Sequence, residues 1–296
     1  GEVKDFKIED LIAEEDAVIT ISYAGYIKRL PVSAYRKQRR GGVGVTAMGT
    51  REEDFVEHLF VASTHETLLF FTTAGRCHWL KVHEVPQASR YAKGMAIVNL
   101  LSLQKEERLS TFVAVKAFEP GRFLIMATKQ GTIKKTELGA YANPRKAGII
   151  AITLDKGDAL IEAKITDGER EALLITKQGK AIRFPEAQAR DVGRSARGVR
   201  GIRLGKGDEV IAMVIAQPKA ELLTVTTLGF GKRSPVEDYR LQSRGGKGII
   251  NIKVTKKNGE VIGAKVVADD SELMLISHEG MMVRCAVQDV RSTGRA

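Results

Sequence analysis

The chain has 296 residues, 43% of them apolar and 28% charged, with 47 Lys and Arg against 36 Asp and Glu for a net charge of +11. That balance suits a folded core and not a disordered chain. No apolar run nears the roughly 18–20 residues that a helix crossing a bilayer needs. The first residues, Gly1 to Asp5, carry no basic-then-apolar leader.

In chain order, an acidic lead-in comes first. Residues 1–16 hold seven carboxylates against Lys4 and Lys7, so about +16 falls on the remainder. Phe6, Ile8, Leu11 and Ile12 among those charges make the lead-in a candidate for packing near a ring closure. Six glycines then recur at near-constant spacing: Gly25, Gly75, Gly131, Gly179, Gly229 and Gly280. Each follows an apolar stretch and precedes a short basic-apolar one, as in Phe123-Leu124-Ile125-Met126…Gly131-Thr132-Ile133-Lys134-Lys135. Further glycines follow at Gly44, Gly94, Gly148, Gly198 and Gly248. A period near 50 residues means one supersecondary unit copied and stacked.

The fourth unit is the clearest. Ala159–Ile165 reads as a strand, Ala172–Thr176 as a second, Gln178-Gly179 as a two-residue hairpin turn, and Lys180–Phe184 as the return strand, stopped by Pro185. Gly198–Leu204 is the fourth. Four short strands per repeat, with apolar runs too short for helical repeats, predict propeller blades. The expected architecture is therefore all-β, one domain over 1–296, with blades near 17–66, 67–120, 121–168, 169–219, 220–269 and 270–296. The fourth strand of the sixth is expected to be missing or to be supplied from elsewhere, because its second glycine would fall beyond Ala296.

Catalytic chemistry finds no support. The histidines, His58, His65, His78, His83 and His278, have no metal-ligand spacing, and no phosphate-loop motif is present. Asp208-Glu209 and Asp269-Asp270 fall at hairpin corners, where solvation accounts for them. Cys77 and Cys285 lie far apart in apolar-basic contexts and read as core fillers in a reduced cytosolic protein. No metal and no cofactor is expected.

The second-glycine loops carry the functional signal. They read Arg36-Lys37-Gln38-Arg39-Arg40-Gly41-Gly42-Val43-Gly44, then Arg90-Tyr91-Ala92-Lys93-Gly94, Arg145-Lys146-Ala147-Gly148, Arg194-Ser195-Ala196-Arg197-Gly198 and Arg244-Gly245-Gly246-Lys247-Gly248. Glycines allow close backbone approach, and arginine presents a forked donor to phosphate oxygens. A tight turn alone would explain the glycines but not the recurring cations. A second basic series stands four residues after the hairpin glycines, at Arg29, Lys135, Arg183, Arg233 and Arg284; its facing is open from alternation alone. Aromatics are sparse, which favours duplex backbone contact over base stacking. The competing class, a peptide-binding propeller of the WD or Kelch type, would not need such a basic excess, and the lone Trp79 provides no Trp-Asp repeat ends.

Gln38-Arg39-Arg40-Gly41-Gly42-Val43-Gly44 resembles the gyrase A box, with Val43 where that motif has a basic residue. The lead-in Ile8–Asp16 and the strand Gly25–Arg29 also resemble the start of the gyrase A C-terminal domain, and the likeness runs through all six repeats. The resemblance implies a β-pinwheel whose blades exchange an outer strand, with duplex DNA bent and wrapped on a basic rim. It implies a bacterial, cytoplasmic, nucleoid-associated protein and a monomeric isolated domain. It further implies that the gyrase A N-terminal domain joins it in cis, that gyrase B is its partner, and that ATP and Mg2+ act on other domains. The related topoisomerase IV domain, which has fewer or degenerate repeats and no intact box, is the alternative.

Overall fold

A computed structural model describes residues 8–34, 45–46, 54, 56–268, 272–276 and 281–286. Among them the chain forms six antiparallel sheets joined by short 3-10 turns, with no α-helix. Each sheet is built on one hairpin, such as Glu171–Thr176 with Lys180–Pro185, where Leu173 faces Arg183 and Ile175 faces Ala181.

The hairpin turn differs from the two-residue expectation. Gly179 N–H donates to Thr176 O at 3.1 Å and Gly179 sits at φ +88°. The glycine is thus the left-handed residue that completes a three-residue loop after a type I turn. A hydroxyl three residues earlier caps the return: Lys180 N–H donates to Thr176 Oγ1 at 3.0 Å, Tyr26 N–H to Ser22 Oγ at 3.1 Å, and Thr132 N–H to Thr128 Oγ1 at 3.1 Å. These hydroxyl residues are almost fully buried, so the cap satisfies polar groups that water cannot reach.

The four strands of one repeat do not form one sheet: an outer strand is exchanged between repeats, as the resemblance implied. The hairpin Phe123–Thr128 and Thr132–Glu137 is flanked by Leu160–Thr166 on one side and by Val199–Arg200 on the other. The second of these comes from the following repeat. The same pattern gives Val56–Ser63 and Met95–Ala96 to the hairpin Asp16–Ser22 and Tyr26–Pro31. It gives Leu109–Val115 and Ile149–Ile150 to the hairpin Thr67–Thr72 and Arg76–Lys81, and Val210–Ile215 and Ile249–Ile250 to the fourth hairpin.

Exchange also relocates the missing strand. Val45–Thr46, from the first repeat, pairs with Met281–Ala286 of the sixth and joins the two ends of the array. The hairpin Glu221–Thr226 and Gly231–Pro235 has only Val261–Val267 beside it among the described residues. The fourth-strand position of the sixth blade, expected to be missing or supplied from elsewhere, is filled by a strand of the first repeat. The described part of the acidic lead-in, from Ile8 on, lies beside the second sheet: Thr64 Oγ1 donates to Ala13 O at 2.7 Å, and Glu9 lies 3.3 Å from Lys81 Nζ; Phe6 lies outside the described residues.

The core lies between sheets. Leu68 and Phe70 pack toward the first sheet with Ile19, Ile21 and Ile27, while Leu69 and Phe71 pack toward the third with Leu124 and Met126. Strands buried on both faces read as continuous apolar runs. Cys77 is buried there, and its thiol is pushed up by burial. The long flanking strands stand next to one another, Leu109–Val115 by Leu160–Thr166, then Val210–Ile215, then Val261–Val267, so the short exchanged strands form the outer edge.

The second glycine is a packing requirement. Gly94 has φ +86°, and an added Cβ would stand 2.3 Å from Ile27 O, the backbone of the preceding sheet. Gly121 has a similar φ of +79° but open space around it. Gly121→Ala is expected to cost about 1 kcal/mol and Gly94→Ala at least about 2 kcal/mol, measured by denaturant unfolding. Equal costs would show that the exchanged strand can shift to accept a methyl group.

Candidate nucleic-acid interface

Every described second-glycine loop precedes an exchanged strand and therefore stands at the outer edge. Successive loops are tied together. Arg194 Nη1 donates to Ile150 O, and Arg244 Nη1, at the same loop position, donates to Arg200 O at 2.6 Å. Each guanidinium thus reaches the exchanged strand of the repeat before it. Thr153 Oγ1 donates to Ser195 O at 2.6 Å, Gly245 N–H to Gly201 O at 2.8 Å, and Arg203 N–H to Gly246 O at 2.8 Å. Main-chain bonds between loops leave little freedom for one loop to move without its neighbour.

The cations divide by exposure. Arg145, Lys146, Arg197 and Lys247 are exposed, while Arg90, Lys93, Arg194 and Arg244 are half-buried. Arg197 lies 2.6 Å from Asp155 in an exposed pair, which water screens. Lys93 Nζ stands 4.5 Å from the Tyr26 ring centroid and Arg90 is over Tyr91 at 5.7 Å. Sequence reasoning stopped at the glycine and missed the cations just beyond it. Arg200, Arg203 and Lys206 are exposed, and Arg203 and Lys206 line one open cleft with Lys180 and Lys247. Their signal was positional: Arg200 and Arg203 stand two and five residues after Gly198, and Lys253 stands five after Gly248.

In the second basic series, Arg29, Lys135, Arg183 and Arg233 turn toward neighbouring strands and blades. Arg29 Nε donates to Val85 O at 3.1 Å, and its backbone exchanges bonds with Pro86 O and Ala88 N–H. Lys135 is 7% exposed, with Nζ 5.3 Å from the Phe123 ring centroid. Arg183 pairs with Glu171 at 2.5 Å and donates to Tyr239 O at 3.0 Å; Arg233 pairs with Glu221 at 2.7 Å. These side chains link hairpin strands and adjoining repeats, so their donors are engaged within the protein. Arg284 is placed by its backbone on Met281–Ala286; its side chain lies outside the described residues. Arg36, Lys37 and the whole box, Gln38, Arg39, Arg40, Gly41, Gly42, Val43 and Gly44, also lie outside them.

This division can be measured. Arg183→Ala leaves Glu171 without its cation and Tyr239 O without a donor, and is expected to cost about 1–3 kcal/mol of stability while duplex binding holds. Arg145→Ala with Lys146→Ala is expected to do the reverse: an unchanged unfolding midpoint and weaker duplex binding. Reversed outcomes for the pair would return the inner series to the interface.

Comparison with known proteins agrees with the fold. The sequence matches the DNA gyrase C-terminal domain, a beta-propeller, in six segments: 16–63, 66–116, 122–167, 170–217, 220–268 and 271–296. It is 53% identical over 290 residues to the DNA gyrase A protein of Halalkalibacterium halodurans and 48% identical over 291 residues to that of Clostridium acetobutylicum, covering 98% of this chain and 35% of each relative. The chain thus spans about a third of the curated relatives it matches. Among solved structures it resembles a DNA gyrase A C-terminal domain with a TM-score of 0.83, covering 95% of this chain and 92% of that one. It also resembles the C-terminal domain of a DNA topoisomerase IV with a TM-score of 0.75, covering 96% and 87%. Both are 26% identical, so fold likeness does not separate the two enzymes, whereas relatives near half identity are gyrase A proteins. An all-β array of exchanged-strand blades, matched along its length in six consecutive segments, belongs to the DNA gyrase C-terminal domain family of β-propellers.

Proposed function

We propose that this chain binds duplex DNA without sequence preference, bends it around the outer edge of the array and so gives a gyrase its directional negative supercoiling. The observation that carries this reading is the stitched outer edge. Exposed cations recur on the loops of the third, fourth and fifth repeats, and hydrogen bonds tie the third repeat to the fourth and the fourth to the fifth. Bending a 20–30 bp site by 40–90° costs of order 1–6 kcal/mol. Contacts to phosphate can offset that cost only if the cations hold their spacing under load, which inter-loop main-chain bonds favour. Arginine and lysine aimed at phosphates carry no base readout, so the path is set by the protein's curvature.

On this reading the strand-passing tyrosine and the ATPase belong to other parts of the enzyme, the gyrase A N-terminal domain in cis and gyrase B in trans. This chain acts as the DNA-ordering element. The box loop has a special place in it, because it runs directly into Val45–Thr46, the strand that joins the first repeat to the sixth. DNA held by that loop would lie across the seam of the ring.

Salt dependence tests the electrostatic part. With six to ten phosphates contacted, duplex affinity is expected to fall by roughly 10³–10⁵-fold between 50 and 200 mM salt, for any duplex sequence. A shallow dependence, or a strong preference for one sequence, would refute rim wrapping. The wrapping role is tested in the reconstituted holoenzyme. Alanine replacement of Gln38 to Gly44 is expected to impair negative supercoiling far more than relaxation or decatenation, which use strand passage without a directed wrap. Equal loss of all three activities would make the loop structural.

A further inference from the structure

The residue three places after each hairpin glycine is Lys28, His78, Lys134, Ile182, Lys232 and Val283 in turn. Lys28 and Lys134 sit on return strands and are 0% and 1% exposed. A lone buried ammonium is costly, and it persists only where acceptors surround it. Here the acceptors are the carbonyls of rim loops. Lys28 Nζ donates to Ser89 O at 3.0 Å, Arg90 O at 2.7 Å and Ala92 O at 2.9 Å, three carbonyls of the loop of the second repeat. Lys134 Nζ donates to Arg194 O in the loop of the fourth repeat, to Ala151 O at 2.5 Å and to the Tyr141 hydroxyl at 3.3 Å. Lys232 follows the pattern with a bond to Asn251 O at 2.5 Å.

The other blades solve the same problem differently. The loop of the third repeat rests on His78, whose ring would stand 2.6 Å from a Cβ at Gly148, and Arg76 Nη2 donates to Ala147 O at 2.6 Å. Beneath the fifth repeat's loop stands Ile182, and there Arg244 bonds to Gln188 and to Arg200 O.

We propose that Lys28 and Lys134 are positioning residues for DNA binding: buried ammonium groups that hold the second- and fourth-repeat loops from beneath by their carbonyls, without touching DNA. The inference rests on the rim reading above. A carbonyl turned onto a buried cation is one turned away from the surface. The loop then shows its arginine, lysine and N–H groups to an approaching phosphate and withdraws its negative dipole ends. The buried charge also adds to the potential over the loop with little screening from water. Burial lowers the Lys28 ammonium to about pKa 8 and the Lys134 ammonium to about pKa 7, consistent with a charge kept for its geometry at a cost in stability.

The test uses this chain with Lys28→Met and with Lys134→Ile, the latter installing the residue that the fourth blade carries at this place. Arg145→Ala with Lys146→Ala serves as the surface control, and the probe is a short mixed-sequence linear duplex titrated across a salt series. Both lysine variants are expected to fold with a lowered unfolding midpoint, because the loop carbonyls lose their donor while only the cost of the desolvated charge is relieved. Each is expected to bind duplex several-fold more weakly. The log–log salt slope should be shallower by about 0.9 for each phosphate contact the loop gives up, although the lost charge is itself out of reach of DNA. Amide hydrogen exchange should quicken at 89–94 in one variant and 194–198 in the other, and hold in the hairpin strands. Folded variants with unchanged affinity, slope and loop exchange would overturn the proposal, as would exchange that quickens equally through the strands, or failure of both variants to fold. If the lysine variants do nothing while the surface control weakens binding, the positioning role alone fails. If the surface control is silent as well, the rim reading fails with it.

Discussion

The structure depends on the departure of one two-residue strand from its own repeat. Ile149–Ile150 hydrogen-bonds to Arg76 and Cys77 of the preceding hairpin, and Val199–Arg200 and Ile249–Ile250 repeat the move. To reach that position the chain must turn sharply against a neighbouring backbone, and only glycine has room. At Gly198 a Cβ would stand 2.3 Å from Ile133 O and at Gly248 2.6 Å from Ala181 O, both at positive φ. The basic loops are the connections that this crossing makes necessary. Their place at the outer edge follows from covalent continuity, since whatever precedes an exchanged strand must lie outside the sheet it joins.

Exchange also decides how the blades cohere. A conventional blade adheres to its neighbours through side-chain packing alone. Here the first four sheets each take a strand from the next repeat, and parallel bridges at Arg29–Gln87, Lys135–Asp191 and Arg183–Leu241 add main-chain bonds beside it. The basic residues of the inner series sit at those bridges. A guanidinium can satisfy two carbonyls and a carboxylate at once, as Arg183 does with Tyr239, Val236 and Glu171. Positive charge therefore does two jobs in this chain. On return strands it ties one repeat to the next, and on the loops it faces outward.

Much of this was legible in the sequence and some was not, for identifiable reasons. The hairpins were, because Gly131 and Gly179 follow apolar runs and precede mixed ones, and a left-handed residue is needed at each turn. The buried hydroxyls at Ser22, Thr72, Thr128, Thr176 and Thr226 stand three residues before each glycine and were equally visible, yet a threonine in a strand reads as ordinary β propensity. Strand exchange was legible only through the family resemblance, since a repeat's order along the chain is the same whether Val199–Arg200 joins its own hairpin or the one before. The facing of the inner basic series was hidden too. Lys134 and Lys135 are adjacent, so simple alternation would put one outward, but both are buried, one against loop carbonyls and one over Phe123.

That burial of consecutive lysines explains why a basic repeat is not a uniform basic surface. A return strand covered on both faces by neighbouring blades has no solvent side for its cations, so each needs a partner within the protein. The partners at hand are the polar groups freed where chain connections cross the strand: loop carbonyls for Lys28 and Lys134, and connecting-segment carbonyls for Arg29 and Arg183. Net charge alone therefore overstates the number of cations facing a nucleic acid. Cations on the loops reach the surface where the exchanged strand has lifted the backbone clear of both flanking sheets. Arg145, Lys146 and Lys247 are exposed because the adjoining glycines carry the main chain against its neighbour and leave their own side chains outside the contact.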